Sequence, residues 1–245
     1  DPWELYHQAV DYSQAHDLAS EHPEKLAELI DLWWIEARRH NVLPLDDRGR
    51  DRFIDPTRPA ASEDRDVYRY FPGTTPVPNP ALPRILNCRH AITAHLTLSD
   101  ENDEGLLVSQ GAELGGWALF VIDGRPRYVH NVLRIEFTEV SGAARLPTGR
   151  EVAVRVEYEP IEQGWGSARM LVDGEVVGTN ERMRITPMGY SMVQEGFSIG
   201  RSWGPPVAYN DYEGEFPFTG VLRCVELETD PTSQVWTPRA EWSKT

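Results

Sequence analysis

The chain of 245 residues carries 24 Lys and Arg against 39 Asp and Glu, a net charge of −15 at pH 7, with 40% hydrophobic and 10% aromatic residues. That balance excludes an intrinsically disordered chain, and the surplus of carboxylates excludes the clustered cations that a nucleic-acid backbone requires. No run reaches the roughly 18 apolar residues of a membrane span, no basic-then-apolar leader opens the chain, and the length suits one large domain or two small ones.

Residues 1–48 are helical in texture. Pro23 follows His22 and occupies a first helical position, where a missing N–H costs nothing. Leu26, Leu29, Ile30, Trp33 and Ala37 then form an apolar stripe at helical spacing. Glu24 and Glu28 at the start, and Arg38, Arg39 and His40 at the end, complement the helix dipole. Asn41 suits the left-handed residue after the helix, and Pro44 stops any continuation. With Trp34 beside Trp33 the apolar face is broad, so it needs a surface to pack on. Residues 49–84 hold seven prolines, too many for a long helix or a central strand, and read as an extended connector. Val67–Phe71 is the one short strand expected there.

From Ile85 the period changes from 3.6 to 2. Ile92, Ala94, Leu96 and Leu98 alternate with polar residues, and so do Val152, Val154, Val156 and Tyr158. Asp123-Gly124 and Asp173-Gly174 each separate two alternating runs, the signature of a two-residue hairpin turn. Val221–Glu228 closes the series. About ten short strands at regular spacing predict a mainly β fold, an antiparallel β-sandwich of the jelly-roll kind over residues 85–229, with a polar tail at 230–245. The two cysteines, Cys88 and Cys224, make neither a disulfide framework nor a zinc site. They would meet only if the first and last strands of this region pair, and two half-buried free thiols are the expectation.

Several clusters invite chemistry. Glu157-Tyr158-Glu159-Pro160-Ile161-Glu162 resembles the catalytic strand of some sandwich glycosidases, with Glu157 and Glu159 on one face. Pro160, however, is expected to end the strand before the third carboxylate, which leaves the solvated end of an edge strand. Asp100, Asn102 and Glu104 imitate the opening of a calcium loop, but Gly111 stands where the bidentate Glu is required. None of the seven histidines has a helical metal spacing, and His90 and His95, five apart on one strand, are expected on opposite faces. Trp165, Trp203, Tyr209 and Tyr212 fall in Gly- and Pro-containing loops, where aromatics either stack on sugar rings or cap the core.

Two groups of words then point to one family. Asp1-Pro-Trp-Glu-Leu-Tyr6, His16-Asp-Leu-Ala19, Pro23-Glu-Lys-Leu-Ala-Glu-Leu29 and Asn41-Val-Leu-Pro-Leu-Asp-Asp-Arg48 resemble the end of the catalytic domain of a bacterial arylsulfatase. Tyr70-Phe-Pro-Gly-Thr74, Gly115-Gly-Trp117, Leu171-Val-Asp-Gly-Glu175, Phe197-Ser-Ile-Gly-Arg201 and Phe216-Pro-Phe-Thr-Gly220 resemble the C-terminal sandwich of such enzymes, and the last two resemble concanavalin/laminin-G-like sandwiches. The resemblance implies the C-terminal portion of a formylglycine-dependent sulfatase. Residues 1–48 would be the last strand and helix of its catalytic domain, and the sandwich would pack on and border that domain. The parent would hydrolyse sulfate esters with calcium or another divalent cation and formylglycine. The Cys-x-Pro-x-Arg or Ser-x-Pro-x-Arg motif that yields formylglycine is absent, so no catalytic and no metal residue is assigned. The chain alone is expected to be inactive, with the missing catalytic domain as its partner and neither nucleic acid nor membrane. The alternative is a free-standing, lectin-like glycan-binding sandwich.

Overall fold

A computed structural model describes residues 2–45, 65–73, 76–83, 85–186, 189–191 and 195–235. Most of the expected connector (46–64) and the end of the tail (236–245) lie outside the described residues. The chain divides into two compact units, residues 1–55 and 56–245.

The first unit is built around α1 (Pro23–Arg39), with Pro at its first turn as the sequence predicts. Leu26, Ile30 and Trp33 are half-buried and Ala37 is buried, which follows the apolar stripe. Asn41 takes a positive φ of 52°. The Val42 N–H then bonds the Ala37 carbonyl at 2.9 Å and the Asn41 N–H bonds that of Arg38 at 3.4 Å, so a Schellman motif closes the helix. Trp3 packs edge-on against Trp33 with ring centroids 5.5 Å apart. Asp17 holds the approach to the helix by accepting from the Leu5 and Ala19 N–H groups, both at 2.9 Å. Leu29, at the margin of that stripe, is exposed, as are Leu32, Trp34 and Ile35, which stand among the exposed charges of Glu28, Asp31 and Arg39.

The second unit is an antiparallel sandwich. One sheet has six strands in the order β1 (Val67–Tyr70), β11 (Val221–Asp230), β2 (Arg89–Thr97), β7 (Glu151–Glu162), β8 (Trp165–Val172) and β9 (Glu175–Arg184). The other has five, in the order β10 (Phe197–Ile199), β3 (Gly105–Ala112), β4 (Gly115–Ile122), β5 (Arg125–Val132) and β6 (Glu136–Ser141). Alternate residues of β2 and β7 (Ile92, Ala94, Leu96, Val152, Val154, Val156) meet Trp117, Leu119 and Val121 of β4 in the core between the sheets. Asp123 and Gly124 (φ 51° and 69°), and Asp173 and Gly174 (φ 50° and 88°), are left-handed at both central positions. These are the turns that match strand twist and join β4 to β5 and β8 to β9.

The two sheets treat their outer faces differently. Leu106, Ala118, Phe120 and Val129 on the back of the five-stranded sheet are covered by Val207, Ala208 and Tyr212. Tyr212 stacks on Phe216 at 4.5 Å and meets Phe120 edge-on at 5.2 Å. Buried on both faces, β3 and β4 show burial without alternation. On the back of the six-stranded sheet β7 alternates in burial from Glu151 to Tyr158, whereas Ala91 and Thr93 of β2 and Cys224 of β11 are buried there.

Two expectations need correction. Pro160 does not end its strand: β7 runs on to Glu162, with the register against β8 shifting between Pro160 and Glu162. An irregular position of this kind tolerates a residue without an N–H donor. Nor is β7 an edge strand, since it lies between β2 and β8. The cysteines are both buried rather than half-buried and, as expected, form no disulfide with each other, although β2 and β11 do pair. Antiparallel register explains it, because Arg89 faces Asp230 while Cys224 faces His95, which sets the thiols at opposite ends of the ladder.

Replacing Phe120 by Ala should lower the sandwich's stability by about 3–5 kcal/mol, because it empties the back-face cluster. Trp203→Ala, on the exposed side of the same loop, should stay within about 0.5 kcal/mol. Urea unfolding of the two variants checks the contrast.

Candidate functional site

The open back of the six-stranded sheet bears a groove of about 830 Å³. It follows from strand alternation: with Val154, Val156 and Tyr158 turned inward, Arg155, Glu157 and Glu159 must point out. The neighbouring strands bring Arg89, Ser167, Arg169, Thr179 and Glu228 to the same lining.

Arg155 is the hub. Its Nε donates to Glu157 Oε1 at 2.9 Å, its Nη2 to Glu228 Oε2 at 2.9 Å and its Nη1 to Thr93 Oγ1 at 3.0 Å. It therefore ties β7 to β2 and to β11 beyond it. Arg169 Nε donates to the other oxygen of Glu157 at 2.6 Å, which carries the network to β8. Arg89 grips Glu159 with two parallel bonds, 2.6 and 2.8 Å. Each of these six charges has a partner of opposite sign, and the Arg89–Glu159 pair has the planar fork that guanidinium and carboxylate favour.

The protonation states follow. The hydrogen bond from Arg155 holds Glu228 below the usual carboxylate range, and the bond from Arg89 does the same for Glu159. Burial pushes Glu157 up, but the hydrogen bonds from Arg155 and Arg169 outweigh it and leave its pKa lowered. Arg155 itself is pushed above its ordinary value, chiefly by its bond to Glu228. At neutral pH Glu157 and Glu159 are therefore both anionic. A two-carboxylate glycosidase needs one of its pair protonated as the acid, and these two positions do not supply it.

The other sequence candidates scatter. Asp100 and Asp103 spend their carboxylates on the N–H groups of their own loop, at Asn102 (2.8 Å) and at Ser99 and Asp100 (2.7 and 3.1 Å). His90 lies inside, stacked on Tyr158 at 4.9 Å, with its Nδ1 on the Cys88 carbonyl at 2.9 Å, and burial drives its pKa down to about 4. His95 faces out, so the two histidines do lie on opposite faces. The aromatic residues do not form one surface. Tyr212 is core, Tyr209 packs on Phe137, and Trp203 lies under the Arg201 guanidinium, whose carbon is 3.9 Å from the ring centre. Trp165 is in β8 rather than in a loop, with Arg182 at 4.5 Å over its ring. Sequence reading missed Arg89, Arg155, Arg169 and Thr179 as a set. The signal within β7 was the alternation of Arg155, Glu157 and Glu159 with core residues, but nothing in the chain order shows which strands flank it.

No protein-family model matches the sequence, and no curated protein matches it. Solved structures do resemble the fold. A mutant of NanB sialidase from Streptococcus pneumoniae superposes with a TM-score of 0.50 at 11% identity, over 72% of this chain and 27% of that one. The CBM40 of Ruminococcus gnavus IT-sialidase bound to α2,3-sialyllactose gives 0.47 at 12% identity, over 65% and 83%. Domains LG4-5 of the mouse laminin α1 chain give 0.40 at 16%, over 71% and 46%. The chain thus spans about a quarter of the sialidase. The fold is an antiparallel jelly-roll β-sandwich, shared with part of that sialidase chain, and nothing in these likenesses indicates an arylsulfatase parent.

Because Glu157, Glu159 and Glu228 have lowered pKa values in the fold, their contribution is present above the unfolded carboxylate value of about 4.3 and is lost as pH falls through the folded values. Arg155→Met should cost about 1 kcal/mol at pH 7, and the gap to the wild type should close towards pH 3. Thermal unfolding across that range measures it, and a gap that holds constant would show that the network contributes nothing electrostatic.

Proposed function

We propose that this chain is a glycan-binding sandwich that takes a saccharide on the open back of its six-stranded sheet. The observation that carries the reading is the groove itself: a cavity of ligand size, lined by alternating guanidinium and carboxylate groups held in place before any ligand arrives. Sugar hydroxyls both donate and accept. Glu157 and Glu159 offer acceptors, Arg89 and Arg169 offer donors, and Ser167 and Thr179 offer both. Their mutual ion pairs fix the rotamers, so binding costs little side-chain entropy. The net charge of −15 and the full pairing of the arginines favour a neutral saccharide over a polyanion. The sandwich fold shared with part of a sialidase chain is compatible with this reading. A groove reading also replaces the loop-aromatic version of the lectin alternative, whose residues are dispersed or covered.

A screen of neutral oligosaccharides should find a ligand whose affinity falls at least about tenfold in Arg169→Ala and less than twofold in Trp203→Ala. The loss of one charge-assisted hydrogen bond accounts for the first effect. Binding that depends on Trp203 and ignores Arg169 would move the site to the loops, and no binding across the screen would remove the reading.

A second reading rests on α1. Leu29, Leu32, Trp34 and Ile35 stay exposed on the helix among its charged residues, and large apolar side chains left in water in this number suit a protein partner. In an arylsulfatase-like parent that partner would be the catalytic domain, and this chain alone would not turn over sulfate esters. An arylsulfatase catalytic domain supplied in trans should bind the wild type and bind Ile35→Asp at least about tenfold more weakly. Turnover of a chromogenic aryl sulfate by the isolated chain would contradict this second reading.

A further inference from the structure

Strand β11 carries an irregularity with a chemical consequence. Leu222 faces Leu96 and Cys224 faces His95, so Arg223 is an extra residue on the β11 side. Such a bulge re-aims the side chains that follow it. Leu222 points to the core, and without the extra residue Cys224 would point there too. With it, Val225 and Leu227 take the core positions, while Cys224 and Glu226 share the outer face with His95.

The three side chains converge. One donor atom from each of His95, Cys224 and Glu226 lies within 4.8 Å of the other two. Glu226 Oε2 is 3.6 Å from His95 Nε2. Cys224 is 2% exposed. The His95 Nε2 atom is buried, and Glu226 Oε2, at 3.6 Å, stands just beyond good hydrogen-bond reach of it. A buried ring nitrogen left so costs free energy unless something supplies a partner. On β7 the residue facing His95 is Ala153, whose methyl leaves room beside the ring. The remaining oxygen of Glu226, Oε1, accepts two bonds from Arg69, at 2.9 and 2.6 Å. Arg69 therefore orients the carboxylate with Oε2 towards His95, as outer residues orient metal ligands.

We propose that His95, Cys224 and Glu226 form a site for one zinc-class divalent ion. Nitrogen, thiolate sulfur and carboxylate oxygen are the donors a borderline-soft ion takes, and hard ions such as magnesium or calcium do not seek a thiolate. The three ligands leave one of four tetrahedral positions for water or another ligand. Binding displaces the Cys224 thiol proton to solvent and gives His95 Nε2 a close partner. The residues lie outside the groove lining, so the site does not depend on the glycan reading.

Cobalt(II) titrated into the full chain, with a non-thiol reductant present, reports the thiolate directly. The expected result is a thiolate-to-cobalt charge-transfer band with tetrahedral d–d bands, saturating at one equivalent and displaced by zinc. Cys224→Ser should abolish the charge-transfer band and Cys88→Ser should leave it intact. His95→Gln and Glu226→Gln should each weaken binding at least about tenfold. Zinc should raise the thermal midpoint of the wild type and not that of His95→Gln, a readout that stands even if the Cys224 variant fails to fold. Absence of the band at saturating cobalt, its persistence in Cys224→Ser, or an equal zinc shift in wild type and His95→Gln would overturn the proposal.

Discussion

The row of ion pairs centred on Arg155 governs how this sandwich presents itself. Taking Arg155, Glu157, Glu228 and Arg169 out of water together would forfeit hydration that their mutual attraction recovers only partly. The back of that sheet is therefore polar along Arg155, Glu157 and Glu228, and a groove lies on it. The other sheet obeys the opposite constraint. Phe120 and Leu106 on its back must leave water, and the segment bearing Val207, Ala208 and Tyr212 folds over them. Among the described residues, one sheet is therefore covered on both faces, and the other carries the groove on its back.

Much of this was legible in the chain. Period-two alternation in β2 and β7, and Asp-Gly pairs at two turns, specify hairpins locally, because side-chain period and left-handed turn residues are properties of adjacent positions. The helix was equally local: its stripe, its first-turn Pro23 and its Asn41 cap are all within one segment. What escaped depends on partners remote in sequence. Pro160 looked like a strand end because proline usually is one, and only the shifted register against β8 shows how the strand continues. Tyr212 looked like a loop aromatic until Phe120 and Phe216 were placed beside it. The bulge at Arg223 left no local mark, yet it sets whether Cys224 faces core or solvent side.

The same distinction separates the two functional readings. The words that resemble arylsulfatases lie in the first unit and at short strand and turn segments of the sandwich, such as Gly115–Trp117 and Phe197–Ile199. The groove joins the consecutive strands β7, β8 and β9 to β1, β2 and β11, which are remote from them in sequence, so its chemistry could not be read as a motif. The first unit keeps Leu32 and Ile35 exposed, which fits a module that works beside another protein surface. The sandwich needs no such partner to form its groove.

The measurement that bears most directly on the groove is a saccharide titration followed by backbone amide shifts in the folded chain. Binding in the groove predicts that the largest shifts cluster at Glu157, Glu159, Ser167, Arg169 and Thr179, on three adjacent strands. Shifts confined to the 200–216 segment around Trp203, with the strand positions unmoved, would contradict it.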